Sequence, residues 1–86
     1  MQDTSTYNNI TASALIHTGE GILVGMYVNS TTSGTIKFWD NTAASGTVIN
    51  NTITPAIGYH ALGNANFTTG LYATIANTLD VTLYFA

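Results

Sequence analysis

Ile22-Leu23-Val24-Gly25-Met26-Tyr27-Val28 is the longest apolar run in the chain, and its length is that of a β-strand. A membrane-spanning helix needs about 20 apolar residues, so this run is far too short for one. Ile22, Val24, Met26 and Val28 alternate with Leu23 and Tyr27, so both faces are apolar and the strand belongs in the middle of a sheet or under cover on both sides. Gly25 interrupts it, which predicts a bulge or a close backbone approach.

Working outward, two-residue alternation recurs, punctuated by Gly, Asn and Ser about every ten residues as in β-sandwiches and barrels. Ile10, Ala12, Ala14 and Ile16 share one face of a first strand. Residues 29–34 read as a turn, with Gly34 available for positive φ. In residues 35–40, Ile36 and Phe38 face one way and Lys37 and Trp39 the other. Residues 47–54 form a fourth strand that Pro55 ends, and residues 59–62 a fifth, with another short strand or turn at 65–68. Leu71, Ala73 and Ile75 share a face, Asn77-Thr78 turns the chain, and Val81, Leu83 and Phe85 alternate to the end. No window shows a capped helical period. The expectation is an all-β chain with almost no helix, a single small antiparallel β-sandwich or jelly-roll-like barrel of about 7–8 strands. It occupies residues 10–86, with a polar, unpatterned and flexible N-terminal arm at 1–9.

Composition narrows the function. Charged residues are 6% of the 86 residues, against about 25% in ordinary domains: Asp3, Glu20, Lys37, Asp40 and Asp80. One lysine and no arginine leave nothing to neutralise a run of phosphates, which argues against direct nucleic-acid binding and against an anionic membrane as partner. The N-terminus has no basic patch followed by an apolar segment, so no signal peptide is read.

Catalysis and cofactors find little to work with. Cysteine is absent, and His17 and His60 lie far apart in sequence. His17-x-x-Glu20 lacks a third ligand nearby, and Asp40-Asn41-Thr42 lacks the repeated acidic spacing of a calcium loop. Gly19-Glu20-Gly21 precedes a strand rather than the helix N-terminus that phosphate cradling needs. The expectation is no enzyme, no cofactor, no metal and no catalytic residue. The four N-x-S/T sequons, at Asn9, Asn29, Asn50 and Asn66, follow from a chain rich in Asn and Thr.

A surface so poor in charge suits burial against other subunits, because interface cores are depleted in charged residues. Trp39, pointing away from Ile36 and Phe38, is the type of anchor that dominates interface energetics, and Lys37 shares its face. Tyr7, Tyr59 and Tyr72 complete the interface candidates.

Gly34-Thr-Ile-Lys-Phe-Trp-Asp-Asn-Thr-Ala-Ala-Ser-Gly-Thr-Val-Ile49 resembles the strand-loop-strand pattern of small β-rich virion proteins of tailed bacteriophages. There a hydrophobic strand ends in Asp, a small-residue loop follows, and a Val or Ile strand returns. Gly21-Ile-Leu-Val-Gly-Met-Tyr-Val-Asn29 and Leu79-Asp-Val-Thr-Leu-Tyr-Phe85 are similar to the flanking strands, so the resemblance spans residues 10–86. It implies a capsid decoration or cement protein, often trimeric, bound to the major capsid protein or another virion protein. Such a protein is made in the host cytoplasm and carried on the capsid exterior. A carbohydrate- or receptor-binding module of a phage fibre or other tail component is the alternative, with Trp39, Tyr59 and Tyr72 stacking on sugar rings.

Overall fold

The computed structural model describes residues 6–86, which form six β-strands and no helix. They are β1 (Thr6–Ile10), β2 (Ala14–Thr18), β3 (Gly21–Asp40), β4 (Thr47–Ile53), β5 (Gly58–Phe67) and β6 (Gly70–Phe85). All pairings are antiparallel and belong to one sheet.

The organising feature is the long ribbon of β3 and β6, which pair from Leu23↔Phe85 to Trp39↔Tyr72. Each long strand has different partners along its two halves. In one half, residues 21–28 of β3 pair with β5, and the end of β6 pairs with β1. In the other, the end of β3 pairs with β4, and the start of β6 with β2. We call these the tyrosine half and the tryptophan half, after the aromatics they present.

Two expected turns are therefore not chain reversals, and the strand count is six rather than seven or eight. Residues 29–34 and Asn77-Thr78 lie opposite each other within the ribbon and deform it together. Thr78 opposes both Thr32 and Ser33, a two-against-one bulge. Ser33 and Asn77 both take positive φ, at 54° and 62°. Gly34 does not supply that conformation. It is needed for space, since a Cβ there would stand 2.5 Å from the Thr78 carbonyl oxygen and 2.7 Å from Leu79 Cβ. Thr31 Oγ1 accepts the Gly34 N–H at 3.0 Å, holding the bulge shut.

Within the expected arm at 1–9, residues 6–9 are strand instead. Thr6–Ile10 is a regular strand on β6, in which the polar Asn9 amide finds partners on Asp80 and Thr82, while Ile10 is buried. Residues 1–5 of that arm lie outside the described residues. Conversely, the single strand expected through Ile10, Ala12, Ala14 and Ile16 is broken at residues 11–13 and serves both halves of β6 in turn.

The core follows the alternation. Ile36, Phe38, Leu71, Ala73, Leu79, Val81 and Leu83 are buried, joined by Phe67 and Leu62 from β5. In the opening run a bulge between Leu23 and Gly25 changes the phase. Leu23 therefore joins Met26 and Val28 in the core, and Ile22 points outward. This strand is central, as expected, but its second apolar face is open: Ile22 and Tyr27 are exposed. The far end is closed by Gly19 N–H donating to Thr69 O at 2.9 Å and by mutual backbone bonds between Ile22 and Ala86.

Candidate functional site

Strand pairing builds the tyrosine half's outer face row by row. One row runs Tyr59, Tyr27, Thr82, Asn9 across β5, β3, β6 and β1, and the next runs Ala61, Gly25, Tyr84, Tyr7. Because antiparallel neighbours directly opposite share a face, four of the five tyrosines meet on one surface. Tyr7, Tyr59 and Tyr27 remain 68%, 54% and 42% exposed, whereas Met26 and Val28, which flank Tyr27, and Leu83, beside Tyr84, are fully buried.

Gly25 is what lets this surface close up. A Cβ at Gly25 would collide with the Tyr59 hydroxyl and the ring carbon that bears it, so the end of the phenol occupies the space over the glycine. Its ring centroid comes within 6.3 Å of Tyr84, in the tilted arrangement aromatic pairs prefer. The close approach expected at Gly25 is thus made by an aromatic from the neighbouring strand.

The nearby carboxylate of Asp80 is held in place by side-chain amides. Asp80 Oδ1 accepts from Asn9 Nδ2 at 2.7 Å and Asn29 Nδ2 at 3.2 Å, and the same two amides donate to Thr82 Oγ1 at 3.2 Å each. Two amides from β1 and β3 therefore bracket a carboxylate on β6, pinning three strands together. Two of the four sequon asparagines, Asn9 and Asn29, serve this purpose.

The remaining candidates belong to the tryptophan half. Trp39 and Tyr72 are cross-strand partners, with Leu15 beyond Tyr72 and Val48 beyond Trp39. Trp39 points away from the core, as the alternation requires, but is half-buried. Its Nε1 donates to Thr74 Oγ1 at 2.8 Å, and Lys37 Nζ sits 4.3 Å from its ring centroid. A cation on the same strand therefore lies over the indole. The structure thus brings together Trp39, Lys37 and Tyr72, and separately Tyr7 and Tyr59. It does not bring Tyr59 to Trp39 and Tyr72. Tyr27 and Tyr84 belong to the tyrosine face and were not singled out from sequence. Their parity is visible there, but the pairing that aligns them with Tyr59 and Tyr7 is not.

The titratable side chains have other duties. Asp40 closes the corner between β5 and β6: its carboxylate accepts the N–H groups of Thr68, Thr69 and Gly70 at 2.9 to 3.3 Å. Burial pushes the Asp40 carboxyl up, but these backbone donors, with the Thr68 hydroxyl, outweigh it and hold the group below its ordinary value. His60 Nε2 lies 2.8 Å from Ala56 O. The His17 ring packs against Phe67 and Phe85, at 5.8 and 5.6 Å between centroids. No three His, Asp or Glu side chains converge among the described residues. A shallow cleft of about 420 Å³ beside Glu20, Ile22, Asn66 and Ala86 includes neither histidine in its lining.

No known family profile, curated protein or solved structure matches the chain.

Proposed function

We propose that this chain is a structural subunit of a virion, of the capsid decoration or cement type. It would bind the major capsid protein lattice, or another virion protein, by non-covalent contact through the tyrosine face. The observation that carries this reading is the tyrosine face itself: Tyr7, Tyr27 and Tyr59 are exposed together, next to a carboxylate already bracketed by amides. Tyrosine supplies large contact area and a hydroxyl at small entropic cost, and it is enriched where interfaces carry their energy. The resemblance of residues 34–49 to virion strands supplies the kind of partner.

In this reading the bent sheet acts as a β-sandwich whose two layers are the tyrosine and tryptophan halves. Supporting it, His17 of the tryptophan half packs on Phe67 and Phe85 of the tyrosine half. The shortest extent of the chain is 17 Å, enough for two layers about 10 Å apart. One outer face then docks while the other stays available.

The test is occupancy on particles. Purified virions are expected to carry the chain in fixed stoichiometry with the shell protein, and Tyr27→Ala with Tyr59→Ala should abolish rebinding to stripped particles without unfolding the chain. Absence from virions, or presence only at a tail tip, overturns the reading. A specific glycan hit lost in Trp39→Ala would favour the carbohydrate-binding alternative, which now has only the Trp39–Tyr72 pair to stack sugars, Tyr59 being in the other half.

A further inference from the structure

A sheet that lives alone must guard its rims, because an edge strand offers unpaired N–H and C=O groups to any passing strand. The rims here are β1, β2, β4 and β5, each paired on one side among the described residues. None of them carries Asp, Glu, Lys or Arg; of the described charges, Lys37, Asp40 and Asp80 are on the two central strands and Glu20 is in a turn.

Three rims are protected by bulges instead. β2 slips between Leu15 and His17, β4 slips twice against β3, and β5 sets three residues against one where Gly63 and Asn64 take positive φ. Among the described residues, β1 has no such guard. Its five residues pair one to one, from Thr6↔Phe85 to Ile10↔Val81, with no glycine or proline among them. The same rim carries Tyr7, the most exposed large apolar residue described.

We propose that β1 is a dimerisation edge: a second copy of this chain pairs its β1 antiparallel to the first, about a two-fold axis through Asn8. Of the registers that keep each face in phase, this one pairs all five described residues of the strand. With the axis at Asn8 all five residues overlap, placing Tyr7 opposite Asn9 of the second copy and Thr6 opposite Ile10. Opposite residues share a face, so the outward Tyr7 and Asn9 stay outside and the buried Ile10 stays inside. A one-residue slip would set outward Tyr7 against inward Ile10, which the pleat forbids. No like charges meet, and the ring of Tyr7 passes from rim to centre of a tyrosine surface continuous across both copies. The two-fold contact also uses up the unguarded edge, so assembly stops at two. This proposal does not depend on the virion reading.

The chain contains no cysteine, which makes the test clean. Directly opposed residues have Cα atoms about 4.5 to 5.5 Å apart, within disulfide range. Asn8→Cys is therefore expected to give a disulfide-linked dimer on mild oxidation, while Asn51→Cys on the bulged β4 rim stays monomeric on a denaturing gel. Sedimentation equilibrium of the unmodified full chain should give a dimer, and Tyr7→Lys should raise its dissociation constant by about tenfold or more. A monomer or trimer for the unmodified chain, or equal crosslinking at Asn8→Cys and Asn51→Cys, overturns the proposal. Should Tyr7→Lys fail to fold by circular dichroism, the crosslinking comparison decides alone.

Discussion

The Asn77 side-chain amide donates to the backbone carbonyl of Ser33 at 2.8 Å, joining the two positive-φ residues of the β3–β6 ribbon across the point where its pairing is disrupted. A left-handed conformation costs a non-glycine residue about 1 to 2 kcal/mol, and asparagine is among the residues that tolerate it best. Here the side chain that tolerates the conformation also bonds across the disruption.

Asn77→Ala should therefore destabilise the chain by about 1 to 2 kcal/mol, through the lost bond and the poorer left-handed fit. Asn77→Gly should cost less, because glycine keeps the backbone at ease. Urea unfolding followed by circular dichroism ranks the two, and a larger loss for Asn77→Gly would mean the hydrogen bond matters more than the backbone angle.

Gly34→Ala and Gly25→Ala test different kinds of crowding. At Gly34 the added methyl meets the Thr78 carbonyl and Leu79 Cβ, parts of the neighbouring strand with little freedom to move. Overpacking of that kind costs about 1 to 3 kcal/mol. At Gly25 the nearest atoms belong to the Tyr59 phenol, which can swing away, although His60 O at 2.9 Å cannot. Gly25→Ala is thus expected to cost less than Gly34→Ala, and less again in a Tyr59→Ala background, as a double-mutant cycle would show.

Asp40 sets a pH dependence. Its carboxyl lies below the ordinary value of 3.8 in the folded chain, so the folded state favours the ionised form. The resulting stabilisation is fully present above about pH 4 and is lost as pH falls through the folded value, because the unfolded chain takes up the proton first. Asp40→Asn removes that titration. The stability gap between the unmodified chain and Asp40→Asn, measured by urea midpoints from neutral to about pH 2, should shrink as the pH drops. A constant gap would show that the corner is held by geometry rather than charge.

Leu83→Ala should cost about 2 to 5 kcal/mol, since Leu83 is fully buried in the central strand of the tyrosine half. Tyr7→Ala, on the same half but exposed, should change monomer stability by less than about 0.5 kcal/mol. Thermal melts of both variants separate core from surface without ambiguity.

How far the sequence reached can be judged residue by residue. Periodicity of two grouped Ile36 with Phe38, Leu71 with Ala73 and Ile75, and Val81 with Leu83 and Phe85 on common faces, and all but the partly buried Ile75 are core, because alternation is a local property that needs no partner. It placed Trp39 on the outward side for the same reason. It mistook residues 29–34 and Asn77-Thr78 for reversals, since Asn, Ser and Gly mark a bulged ribbon as readily as a turn. It also put Leu23 on the wrong face, because a bulge changes the phase of a strand and only the register with Phe85 and Ala65 reveals where it falls.

Sequence alone determined that this chain is all-β and nearly without charge, because strand propensity, alternation and composition are written into each segment. Tertiary structure alone decided that Tyr7, Tyr27, Tyr59 and Tyr84 form one surface and that Trp39 and Tyr72 belong to another. The physical reason is the pairing of β3 and β6: it brings residues 57 positions apart, such as Tyr27 and Tyr84, into adjacent rows, and no local preference of either tyrosine encodes that register.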